Sequence, residues 1–172
     1  MQNKINYNVT NKDIEKLLGA NCIIKYSNLA NINNIDDIFD DRNFKIILIE
    51  EKMNSGHWTA ILRYADGTIE QFDSYDGNID SELKYISKPM RIKLNENILY
   101  LSNLLKNRKT ISSKYRFQEL KPGISTCGKH VLLRIMMFQK NYKLDKYIKW
   151  FKNMIKTTGL NGDELVNELV KF

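Results

Sequence analysis

Four side chains of the kinds that cleave amides by nucleophilic attack follow one another along this chain: His57, Asp73, Gln118 and Cys127. Such chemistry needs a thiolate, an imidazole that exchanges protons with it, a group that orients the imidazole, and donors for the oxyanion formed on the scissile carbonyl. Cys127 is the candidate nucleophile. It stands just ahead of Val131, Leu132, Ile135 and Met136, whose near-helical spacing marks one buried helix face, with Ser125 or Thr126 as cap. A thiol in the first turn of that helix faces unpaired backbone N–H groups and the positive end of the dipole, and both favour a thiolate. A lone cysteine is commonly no more than a small buried residue, so the other three side chains carry the argument.

His57 opens the β-prone run His57–Tyr64, Ala65-Asp66-Gly67 supplies a hairpin turn, and Thr68–Asp73 returns. The doubling back brings His57 and Asp73 to the same open end. His57 is then the candidate general base and acid, and Asp73 accepts a hydrogen bond from its distal nitrogen to fix the tautomer. Trp58 either packs against this end and screens that bond from water or is simply core. Gln118 can offer its amide to the oxyanion, and the N–H of Cys127 is the second donor. Two rivals are weaker. Asp76 sits in Tyr75-Asp76-Gly77-Asn78, which reads as a turn, and His130 as base would leave Asp73 unexplained. Two cysteines and two histidines without paired ligand spacing give no zinc motif, so neither metal nor cofactor is expected.

The ordered set Gly56-His57-Trp58, Phe72-Asp73-Ser74, Phe117-Gln118 and Thr126-Cys127-Gly128 resembles the cysteine proteases that include the adenovirus-type maturation protease and the SUMO- and NEDD8-deconjugating proteases. The order His, Asp, Gln, Cys is that family's, whereas papain-like enzymes run Gln, Cys, His, Asn. Within the family, the Cys-Gly-Lys-His form and the small size look most like capsid-maturation proteases of large DNA viruses, virophages and related mobile elements. The spacing from Gln118 to Cys127 is longer than in the best-known members, and Gln139 is too far along the helix to replace Gln118.

The resemblance implies an α+β, adenain-like fold, a permuted papain-like arrangement with a central mixed β-sheet flanked by helices. It also implies a cysteine endopeptidase acting on viral capsid or other virion precursors beside small residues, typically Gly, with Gly56, Trp58 and Gly128 along the substrate cleft. Removal of ubiquitin-like modifiers is the alternative with the same chemistry.

Other stretches read as scaffold. Thr10–Gly19 predicts a short helix, Cys22–Tyr26 a short strand, and Lys45–Ile49 a buried central strand, with the polar segment Ser27–Asn43 between the last two reading as a loop or a single turn of helix around Ile35–Phe39. Lys88–Leu94 reads as an irregular strand, Asn97–Lys109 as a helix, and Lys114–Gln118 as a strand delivering Gln118 to a loop. Asp145–Lys156 and Asp163–Phe172 read as amphipathic helices.

At 172 residues, with no repeat or linker, a single domain spanning 1–172 is expected. Cys22 and Cys127 make no disulfide framework, no apolar run reaches membrane-span length, and the polar start is unlike a signal peptide. A soluble intracellular protein is therefore expected; the resemblance implies host cytoplasm, virus factory or virion. The net charge of +7, with basic clusters at Lys106–Lys109 and Lys140–Lys156, also fits a different class, a nucleic-acid-binding structural protein without catalysis, or DNA as an accessory partner of a protease.

Overall fold

Two consecutive runs rich in β-branched residues form the long hairpin on which the rest of the molecule is laid. The computed structural model describes residues 7–172. In it β1 (Ile23–Lys25), β2 (Phe44–Lys52), β3 (Ser55–Arg63), β4 (Ile69–Phe72) and β5 (Thr110–Ser112) make one sheet in that order. The three inner strands are antiparallel to their neighbours among themselves, and the short edge strands β1 and β5 run parallel to β2 and β4, so the sheet is mixed. The middle position belongs to β3, the strand that carries His57.

Residues alternate across the sheet with period two, and each face buries its own cluster. Ile46, Leu48, Trp58, Ala60, Leu62 and Phe72 pack with Val131, Ile135, Phe151 and Leu165 on the helical side. Those helices are α4 (Cys127–Gln139), α5 (Leu144–Thr158) and α6 (Gly162–Leu169), which follow the short α2 (Lys88–Lys93) and α3 (Tyr100–Leu104) in the chain, while α1 (Asn11–Leu18) adds Ile14. On the other face Ile47, Ile49, Ile61 and Ile69 meet Leu29, Ile79, Leu83 and Leu101. These come from 3-10 turns at Tyr26–Asn31 and Ile79–Tyr85 and from a short helix, Tyr100–Leu104. Each fully buried Ile or Leu contributes roughly 1.5–3 kcal/mol. The architecture is thus α+β, a five-stranded mixed sheet flanked by helices.

α4 is buried nearly all round, not on one face: residues 127–135 are all buried and Met136 is only half-buried. It lies between β3 and α6. Inside it Arg134, fully buried, forks onto Glu70 of β4 at 2.8 and 2.7 Å and donates to the Tyr142 carbonyl at 3.0 Å. This pair fixes the helix along the sheet and therefore how its N-terminus meets the strand ends.

Several elements differ from their sequence reading. Lys88–Lys93 is a helix, not a strand, because Pro89 in the first turn has no N–H to lose there. The helix read over Asn97–Lys109 is confined to Tyr100–Leu104. Lys114–Gln118 forms no ladder. The strand before it is Thr110–Ser112, and Phe117 and Gln118 instead both donate to the Ser74 carbonyl, at 2.9 and 3.0 Å. The last helix ends at Leu169 rather than Phe172.

Candidate active site

The β3–β4 ladder, with Ala60 opposite Phe72, places the residues entering β3 and leaving β4 at one end of the sheet. There His57 Nε2 lies 2.9 Å from Asp73 Oδ1, and both side chains are buried. The same oxygen accepts the Tyr75 N–H at 2.9 Å. With Nε2 engaged, Nδ1 is the nitrogen left for the sulfur, and Cys127 lies near enough to the ring to raise its proton affinity. Burial alone would push the imidazole down, but Asp73 and then Cys127 outweigh it and hold the ring well above its ordinary value. A protonated ring against sulfur is the setting of a thiolate–imidazolium pair.

Cys127 is the first residue of α4. Neither expected cap serves the helix through its side chain: the Thr126 hydroxyl donates to Asp163, and Ser125 bonds to Asn8. Gly128 lies beneath Val9 and Trp58, where a Cβ would come within 2.6 Å of Val9 Cβ. The Trp58 indole donates to the Val9 carbonyl at 3.0 Å, so Trp58 clamps the N-terminal segment on the sheet face opposite His57. Gly56 is fixed by the backbone, since a Cβ would stand 1.9 Å from the Ile49 oxygen. A cavity of about 230 Å³ is lined by Gly56, Trp58, Ser55, Val9 and Cys127; Gly128 is not part of its wall. A second, of about 200 Å³, opens beside His57 between Tyr75, Glu82, Ile86 and Leu120.

Gln118 is buried, its Oε1 accepting from Ser74 Oγ at 2.8 Å and its Nε2 donating to the Tyr75 hydroxyl at 3.2 Å. One amide N–H remains for another acceptor. Tyr75 joins the group: its ring stacks on His57 with centroids 4.9 Å apart. Burial first, and then the charge of nearby Cys127, push its phenol up.

Over 161 residues the chain is 33% identical to the uncharacterized protein V9 of Sputnik virophage, an alignment covering 92% of this chain and 91% of that protein. The chain belongs to the V9 family. No protein-family model and no solved structure matches it. No helix among the described residues of this V9-family protein is long and apolar enough to cross a membrane.

Three residues of the site escaped the sequence. Tyr75 read only as part of a turn. Asp163, at the start of α6, accepts from Thr126 Oγ1, from the Glu119 N–H at 2.9 Å and lies 3.0 Å from His130 Nε2. It therefore holds the residue before Cys127 and the residue after Gln118. Burial would raise its carboxyl, but those three bonds hold it below the ordinary range. His130, wholly buried and pushed down by burial, belongs to this second pair. Asp76 turns outward to Arg116, at 3.4 Å. The third is Glu82. His57, Asp73 and Glu82 each bring a ligand-type atom within 4.8 Å of the others. Such a cluster can gather a cation, but here ring and carboxylate are already bonded to each other, which reads as proton sharing. Two larger cavities, each about 630 Å³, lie away from these groups, and Cys127 and His57 line neither.

Proposed function

We propose that this V9-family protein is a cysteine endopeptidase with an adenain-like arrangement, in which Cys127 is the nucleophile, His57 the acid–base and Asp73 the orienting acid. The observation that carries the reading is the buried His57–Asp73 hydrogen bond at one end of the sheet, with Cys127 at the start of α4 acting on the same ring. The thiolate attacks the scissile carbonyl carbon, and the displaced π electrons settle on oxygen. Gln118 and the Cys127 N–H are the donors for that oxyanion. The imidazolium then protonates the departing amine as the C–N bond breaks, leaving an acyl-thioester. Neutral His57 next takes a proton from water, the hydroxide attacks the thioester, and the thiolate leaves. Asp73 keeps Nε2–H in place throughout, so that Nδ1 always faces the sulfur.

A virophage relative together with cavities on both sides of the dyad supports a virion precursor as substrate, threaded as an extended segment with small residues, typically Gly, at the scissile bond. The exposed lysines 146, 149, 152 and 156 along α5 favour nucleic acid as an accessory partner. The test is to incubate the purified chain and its Cys127→Ala variant with the capsid proteins of the same virus and to map fragments by mass spectrometry. Cleavage at small-residue sites by the wild type alone supports the reading. No cleavage, or equal cleavage by both, argues against it.

A further inference from the structure

Glu82 sits in the 3-10 turn Ile79–Tyr85, buried beside both Asp73 and His57, with a ligand-type atom of each within 4.8 Å of the others. Asp73 gives Oδ1 to both His57 and the Tyr75 N–H, whereas its other oxygen, equally buried, is without a donor among the described groups. The Glu82 carboxyl is the buried neighbour of that carboxylate, one oxygen of each lying within 4.8 Å of the other. Two carboxylates can meet in a buried place only if one carries a proton, because like charges at that distance do not both ionise.

We propose that Glu82 is a positioning residue: as the neutral acid it donates a hydrogen bond to Asp73 Oδ2 and so fixes the carboxylate that orients His57. The inference rests on the protease reading for its catalytic meaning, whereas the shared proton is argued from the donorless Asp73 oxygen and the buried carboxyl beside it. Burial, and then the facing Asp73, push the Glu82 carboxyl up to about 7, with His57 and Lys84 opposing. The other titratable groups around it are Glu51 from β2, Tyr75 from the segment after β4 and Tyr85 on its own turn. Above neutrality Glu82 releases its proton to solvent, the bond to Asp73 is lost, and two facing anions remain. Asp73 is then pushed from its place, and the added negative charge holds the imidazolium too firmly for it to protonate a leaving amine well. Glu82 thereby confines the assembled dyad to neutral and acid pH.

The test is a pH titration of the two histidine rings by NMR in the full chain, with His130 as internal reference, for wild type, Glu82→Gln and Glu82→Ala. The wild type should show an inflection in the His57 ring signals near pH 7. Glu82→Gln, whose amide donates at every pH, should lack it while keeping the Asp73-bonded ring signature into the alkaline range. Glu82→Ala should lose that signature at all pH values. In parallel, alkylation of Cys127 and of Cys22 by iodoacetamide is followed in the wild type, where Cys127 should react at least tenfold faster. An unchanged inflection in Glu82→Gln, or none in the wild type, overturns the proposal. Should Cys127 react no faster than Cys22 while the inflection behaves as expected, the protease reading fails and the shared proton survives.

Discussion

His57 turns Nε2, not Nδ1, toward Asp73, at 2.9 Å from its Oδ1. That choice leaves the other nitrogen for the sulfur and makes the carboxylate a device that selects the tautomer. Asp73→Asn keeps the shape but can present its own N–H to the ring and reverse the tautomer. If the proposed endopeptidase activity holds, it should lower kcat by roughly 10⁴-fold with little change in KM, measured on a protein that the fragment-mapping assay identifies as a substrate.

The same pair gives a signed pH effect on stability. The folded-state pKa of His57 is raised, so its contribution is complete below the unfolded value and disappears as pH rises through the folded one. The wild-type melting temperature should therefore fall on going into the alkaline range, and fall less in His57→Gln. Equal slopes in thermal melts would contradict the ion pair.

Glu96 offers an independent check away from the site. It is wholly buried, Oε1 accepts the Glu50 N–H at 2.9 Å, and burial pushes its carboxyl up to about 7. A carboxyl raised on folding gives stability that is present below the unfolded value and lost as pH rises toward 7. Glu96→Gln keeps the acceptor and removes the titration, so it should gain on the order of 1–2 kcal/mol at pH 8 relative to pH 5. Denaturant melts at the two pH values measure this.

Gly128→Ala drives a methyl against Val9 and Trp58 at the start of the nucleophile's helix. It should destabilise by about 1–3 kcal/mol and move Trp58 fluorescence, with a larger relative loss in Cys127 alkylation rate than a distant substitution of equal stability cost.

Asp163→Asn weakens three bonds at once, to Thr126, Glu119 and His130. Because these hold the flanks of both Cys127 and Gln118, kcat should fall more than tenfold, an amount in line with loosening an oxyanion donor, while KM changes little. A pure rise in KM would show that α6 serves substrate binding instead.

The hairpin end was readable because Asp66-Gly67 forces the chain back on itself, and that alone makes neighbours of His57 and Asp73. The Cys127 helix was readable from its apolar spacing, although spacing could not reveal that the helix is enclosed on every side or that Arg134 pairs with Glu70 inside it. Alternation misled at Lys114–Gln118, where Tyr115 and Phe117 pack with Phe151 rather than joining a ladder. Local pattern likewise misled at Lys88–Leu94, where Pro89 suits a first helical turn. Tyr75, Glu82 and Asp163 were missed for one shared reason. Each acts through partners that only the folded backbone brings near, and none has a local signature.

The central claim is that folding makes Cys127, and not merely any thiol, an imidazole-assisted nucleophile. Site-resolved alkylation by iodoacetamide at pH 6, followed by peptide mass mapping, tests it most directly. Cys127 should react at least tenfold faster than buried Cys22, and His57→Ala should erase the difference, as expected when an adjacent base activates a thiol. Equal labelling of the two cysteines, or rapid labelling of Cys127 that survives His57→Ala, would contradict the account.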